Sequence, residues 1–232
     1  DLGDIYYYNA GKYNEAFREY SKAEGTGYRD SNLSYKIGFI YYKNTNYAKA
    51  SERFYDISLE KRDNESVLSA FANASYYNNL FSPAMAYYEQ VVEKLEYWRD
   101  HQGFLELDSR RDQQLVLEKL MEVYNNLGVT LYRLSEKNRN SSYYSGALVY
   151  LTKSAELYDL LSRDPETLDR SLTKPLAQVN MRYAIINAGR KSSYAATVIP
   201  YSSDNMQIEK PVIYNAIDQD IYGRIEMLTE QE

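Results

Sequence analysis

The 232-residue chain contains no cysteine. That removes disulfides, thiolate metal sites and cysteine nucleophiles together. It holds a single histidine, His101, which leaves almost nothing for a histidine-based metal site or catalytic triad. His101 sits in the polar stretch Arg99-Asp-His-Gln-Gly and reads as an exposed loop residue. No apolar run approaches the ~18 residues of a membrane-spanning helix. An excess of positive charge is also missing. With 27 basic against 33 acidic residues the net charge is −6, the opposite of what a general nucleic-acid binder carries. There is no phosphate-binding glycine loop, no His-Glu-x-x-His and no nucleophile elbow. The acid pairs Glu106/Asp108 and Asp218/Asp220 read as solvated surface. The expectation is a chain that is not an enzyme and has no metal and no organic cofactor. It opens at Asp1 without a Met or a signal-like stretch, as expected of a mature or excised piece.

What is present is ordinary in bulk and unusual in one respect. Hydrophobic residues make up 44% and charged residues 26%, the balance of a soluble folded protein. Tyrosine occurs 27 times beside 6 Phe and 1 Trp. Tyrosine rings are apolar on the face and polar at the tip, which suits half-buried surfaces and interfaces.

The sequence repeats itself every 34 residues. Tyr7, Gly11, Tyr13, Ala16, Tyr20 and Ala23 map onto Tyr41, Thr45, Tyr47, Ala50, Phe54 and Ile57, and again onto Ser75, Asn79, Phe81, Ala84, Tyr88 and Val91. The small residue at Ala16, Ala50 and Ala84 stays small, and the rings beside it stay aromatic. The pattern resembles the tetratricopeptide (TPR) repeat, Trp-x2-Leu-Gly-x2-Tyr followed by Ala-x3-Phe. The second unit carries it best, as Ile37-Gly38-x2-Tyr41 and then Ala50-x3-Phe54; a fourth copy follows at Leu127-Gly128 and Ala147-x3-Leu151. The resemblance implies paired antiparallel helices, A and B. Gly38 or Ala72 on helix A and Ala50 or Ala84 on helix B would let two backbones approach, with Tyr47, Phe54, Phe81 and Tyr88 filling the space beside them.

The expected fold is therefore an all-α, TPR-like superhelical solenoid. Its units are 1–30, 31–64, 65–98 and an irregular fourth at 99–163 that carries insertions. One insertion, within 97–119, is expected to lengthen both flanking helices. Another, of seven residues around 136–142, is expected in the turn between helices A and B. Residues 164–191 read as a partial unit or capping helix. Residues 192–232 read as an extended arm leading to a terminal helix, with Ile217, Ile221, Ile225 and Leu228 at spacings of three and four. That last segment is acidic: residues 197–232 carry a net −5.

In TPR arrays the A helices line a concave groove. Carried across, the groove positions are Ile5, Tyr8 and Asn9; Tyr35, Phe39, Tyr42 and Lys43; Ser69, Asn73, Tyr76 and Tyr77; and Asn125, Val129, Tyr132 and Arg133. One position is tyrosine in every unit: Tyr8, Tyr42, Tyr76 and Tyr132. These rings, with Tyr35, Phe39, Lys43, Tyr77 and Arg133, form the expected partner-binding set. The basic clamp with which some TPR domains hold chaperone C-termini is not repeated. The matching positions are Asp1, Ile5, Phe39, Ser66 and Ala70, with only Lys36 basic.

The leading functional expectation is a non-catalytic protein–protein interaction scaffold, with no nucleic acid partner, no membrane insertion by this segment, and oligomerisation left open. The irregular unit (Asn125-Asn-Leu-Gly-Val-Thr-Leu-Tyr, Ser145-Gly-Ala-Leu-Val-Tyr, Asp164-Pro-Glu-Thr) together with the tyrosine-rich units resembles the spirochaete periplasmic-flagellar collar proteins. That resemblance implies a periplasmic structural part of the flagellar motor, in contact with other collar or motor components. The alternatives are a peptide-binding TPR receptor, an envelope-assembly adaptor and a cytoplasmic location.

Overall fold

The computed structural model describes residues 2–9, 12–60, 64–101, 110–161 and 163. Every regular element among them is helical. A short α1 (Leu2–Asp4) runs on into a π-helical turn, Ile5–Asn9. Then come α2 (Tyr13–Gly25), α3 (Ser31–Lys43), α4 (Tyr47–Glu60), α5 (Glu65–Tyr77), α6 (Phe81–Asp100), α7 (Arg110–Asn138) and α8 (Ser141–Leu161). The chain divides into two compact units between Leu80 and Phe81, inside what the period makes the third repeat. The fold is all-α and built of TPR-like helix pairs. The segments 164–191 and 192–232 lie outside the described residues.

In the first unit local chemistry sets the helix ends. Asp30 accepts from the Leu33 amide at 3.1 Å and Asn64 from the Val67 amide at 3.1 Å, each capping a helix start. At the other ends two turns repeat each other at the 34-residue offset. The amides of Asn44, Thr45 and Asn46 donate to the carbonyls of Ile40, Tyr42 and Tyr41, and those of Asn78, Asn79 and Leu80 to Ala74, Tyr76 and Ser75. Both turns are Schellman closures in which Thr45 and Asn79 take a left-handed backbone, each with φ 60°.

Packing follows the small residues. Ala16 and Ala50 are fully buried. A Cβ added at Gly38 would stand 2.7 Å from Phe54 Cε1, so only glycine permits this approach of α3 to α4. The same contact occurs in the first pair between Gly3 and Tyr20, one residue away from where the period puts it. The π-turn accounts for the difference. Ten positions separate Gly3 from Tyr13, against nine from Gly38 to Tyr47, and a π-turn adds one residue to a helix. A polar tie joins the second helices of successive pairs, α2 and α4. The Arg53 guanidinium meets the Glu24 carboxylate through two bonds of 2.6 and 3.0 Å.

The second unit consists of α6, α7 and α8. As expected, the helices flanking the 97–119 insertion are long: 20 residues in α6 and 29 in α7. The expected insertion in the turn around 136–142 needs correction. Helix α7 continues through Asn138 and α8 starts at Ser141, so only Arg139 and Asn140 connect them. The seven extra residues extend the helices instead. Seven residues are close to two helical turns, so the lengthened pair keeps its packing faces. Asn140 starts α8 by accepting from the Ser142 amide at 2.9 Å. Gly128 meets Leu151, Ala147 is fully buried, and the Ser154 hydroxyl donates to the Met121 carbonyl at 2.6 Å.

Candidate functional site: the tyrosine-bearing face of the A helices

The π-turn decides which ring of the first unit faces out. Tyr7 is 1% exposed. Its ring lies 5.6 Å from that of Tyr13, 5.7 Å from Phe39 and 6.2 Å from Tyr20. This is a cluster of edge-on and tilted rings of the kind aromatic quadrupoles favour. Burial pushes the Tyr7 hydroxyl well above the ordinary tyrosine range. With Tyr7 taking the inner place, Tyr8 turns outward and is 51% exposed; Ile5 is 52% exposed. Tyr8 stands edge-on to Tyr7 at 4.9 Å, and the Lys36 ammonium lies 5.1 Å from the Tyr8 centroid. Lys43, exposed, reaches over Phe39 at 5.5 Å. Consecutive ring contacts therefore run from Tyr8 through Tyr7 and Phe39 to Lys43.

A second group lies at the turn ends of α3, α4 and α5. Tyr47 stacks on Tyr77 at 4.7 Å with an interplanar angle of 15°, and Tyr42 stands edge-on to both, at 5.4 and 5.5 Å. All three rings are half-buried.

The nine residues of the expected binding set therefore divide. Tyr8, Tyr42, Lys43, Tyr77 and Arg133 reach solvent, whereas Tyr35, Phe39, Tyr76 and Tyr132 are buried, none more than 6% exposed. The tyrosine ladder is not a row of open phenols. Tyr35 packs on Phe54 at 5.3 Å, Phe39 under Tyr7 and Tyr13, Tyr76 edge-on to Tyr77 at 5.6 Å, and Tyr132 beside Tyr144 at 6.4 Å. A ring is large enough to be claimed by its own helix neighbours before it meets a partner. The other groove positions of the later units, Ser69, Asn73, Asn125 and Val129, are buried as well. Arg133 bonds to Glu136 one turn on, at 3.2 Å.

One construction escaped the sequence reading, and it occurs in both units. In the first, Asp4 Oδ1 accepts from the Tyr20 hydroxyl at 2.7 Å and from Lys36 Nζ at 2.6 Å, joining α1, α2 and α3. In the second, Glu96 Oε1 accepts from the Tyr124 hydroxyl and from Lys153 Nζ at 3.0 Å, joining α6, α7 and α8. In each, the lysine also lies over two tyrosine rings. Burial works to raise both carboxylates, but the hydrogen bonds from tyrosine and lysine outweigh it and hold Asp4 and Glu96 below their ordinary values. Lys36, the one basic residue at the clamp positions, is thus engaged with Asp4.

Among the described residues no group of three or more His, Cys, Asp or Glu could hold a metal ion, and no helix is long and apolar enough to cross a membrane. His101 is exposed and stacks on Tyr97 at 4.2 Å.

No protein-family model matches the chain, and no curated protein does. Among solved structures it is similar to a TPR repeats protein from Bacteroides fragilis, at 18% identity and a TM-score of 0.33, over 72% of this chain and 93% of that one. It is also similar to the C-terminal part of a TPR repeat-containing protein from Cytophaga hutchinsonii, at 16% identity and a TM-score of 0.39, over 82% and 79% of the two chains. The repeat character of this chain rests on its own residues: the glycine and alanine crossings, and turns that recur at the 34-residue offset.

Proposed function

We propose that the chain is a non-catalytic scaffold that holds other proteins against the A-helix face of its first unit. The observation that carries this reading is the outward pair Ile5 and Tyr8, each about half exposed, continuous through a ring cluster with Lys43. Rings set on a rigid support and flanked by a cation are the usual anchors of protein interfaces. Tyr42 and Tyr77 extend the contact, Arg133 serves the second unit, and the buried Tyr35, Phe39, Tyr76 and Tyr132 act as its support. The test is binding of a partner purified from the native source. Tyr8→Ala or Tyr42→Ala with Tyr77→Ala should weaken it by ~1–3 kcal/mol. Binding that survives these changes but is abolished by substitutions within 104–107 moves the site to the insertion.

The narrower reading, a structural part of the periplasmic flagellar collar, is supported by the sequence resemblance of the fourth unit and the tyrosine-rich units. It predicts a periplasmic protein that co-purifies with motor components. Recovery in the cytoplasmic fraction would remove it and leave the general scaffold standing. A scaffold of either kind forms a stable complex with a folded partner, whereas a peptide receptor binds isolated segments.

A further inference from the structure

The A-helix face of the first unit is apolar and cationic in a chain that is acidic overall. Leu2, Ile5 and Tyr8 are each about half exposed along one helix. Asp4, the acid among them, is held by Lys36 and Tyr20. Two exposed lysines flank the ring cluster: Lys43 lies over Phe39, and Lys12 immediately precedes Tyr13, whose ring meets Tyr7 and Phe39. The complement of this face is an acidic segment with an apolar stripe, and the chain contains one. Residues 213–232 hold Asp218, Asp220, Glu226, Glu230 and Glu232 against the single base Arg224, together with Ile217, Ile221, Ile225 and Leu228. We propose that this C-terminal segment docks in cis on the Ile5–Tyr8–Lys43 face, and so occupies the surface that the proposed function gives to partners. The inference rests on that face being a contact surface. Opposite charge selects the segment and apolar contact holds it.

The test uses the full chain with a photo-reactive benzoylphenylalanine in place of Tyr8. Illumination should give links to peptides of 213–232 on the monomer band. Lys12→Glu with Lys43→Glu should cut their yield at least about fivefold, and so should 0.5 M salt, because screening shortens the reach of the charges. Links that fall on a second copy, or on other parts of the chain, overturn the proposal. A second measurement adds a fluorescent peptide of residues 213–232 to the full chain and to the Ile221→Asp, Ile225→Asp variant. If the segment covers its own face about nine-tenths of the time, the peptide binds the variant about tenfold more tightly. Equal affinities overturn the docking. Neither measurement uses a partner protein. Their failure with partner binding still sensitive to Tyr42 and Tyr77 defeats the docking alone, whereas peptide docking beside insensitive partner binding defeats the scaffold reading alone.

Discussion

Replacing Gly128 by alanine tests the close approach of α7 to α8. Both Gly128 and Gly146 lie inside helices, so alanine at either recovers about 1 kcal/mol of helix propensity. The surroundings differ. At Gly146 the new methyl would stand 3.3 Å from Leu131 Cδ1, the end of a side chain that can yield a few tenths of an ångström. At Gly128 it would stand 2.7 Å from Leu151 Cγ, 2.9 Å from Cδ2 and 3.2 Å from the Ala147 carbonyl oxygen. Carbon atoms prefer about 3.5–4.0 Å, and neither a branch carbon nor a backbone oxygen can give way alone. Overpacking of this kind costs ~1–3 kcal/mol. The propensity gain is common to both variants and cancels between them. Gly128→Ala should therefore be ~1–3 kcal/mol less stable than Gly146→Ala. Trp98, the single tryptophan, is buried in α6, so its fluorescence in urea reports the unit in which both glycines lie. In a Leu151→Ala background the two shortest contacts are gone and only the 3.2 Å approach to the Ala147 carbonyl oxygen remains, so Gly128→Ala should cost clearly less there than in the parent chain; the double-mutant cycle isolates the contact with Leu151. Equal stability of the two single variants would refute the packing argument.

The same physics gives three further expectations. Ala50→Leu or Ala84→Leu, at fully buried crossings, should each cost ~1–3 kcal/mol by overpacking; thermal melts unchanged within error would contradict the repeat register. Thr45→Gly should stabilise by about 1 kcal/mol, because a β-branched residue is held at φ 60°; Asn79→Gly should gain less, since asparagine tolerates that conformation, and equal gains in a urea titration would count against the strain argument. Asp4 and Glu96 titrate below their ordinary values in the folded chain, so their stabilisation is complete above the ordinary carboxylate range and is lost as pH falls through the lowered folded values. Tyr20→Phe with Tyr124→Phe should flatten that acid limb in circular dichroism at constant ionic strength, and an unchanged limb would mean that the two hydroxyls do not hold the carboxylates.

How much was legible in the sequence follows from what a period can encode. Small residues at crossings are local and repeat in register, so Ala16, Ala50, Ala84 and Ala147 locate four helix B positions before any coordinate is known, and all four are fully buried. Gly3 breaks the register because one residue is absorbed in a π-turn, and a 34-residue ruler has no mark for a change of helix type. That slip moves Tyr7 inward and Tyr8 outward, and it creates the most open part of the candidate face. The seven extra residues near 136–142 look like a turn because Asn and Ser cluster there, yet capping needs only Asn140 and the remaining residues continue the helices. Exposure was the least legible quantity. The period puts Tyr8, Tyr42, Tyr76 and Tyr132 at equivalent positions, but whether a ring remains free depends on rings from other helices, such as Tyr144 beside Tyr132. The carboxylate–tyrosine–lysine ties have no motif at all. Asp4, Tyr20 and Lys36 lie 16 and 32 residues apart, and Glu96, Tyr124 and Lys153 lie 28 and 57 apart. The same chemistry thus arises at unrelated spacings, once on helices A, B and A and once on B, A and B. Periodicity reports which helices pair, and the side chains that fasten one pair to the next are set only once the pairs have been stacked.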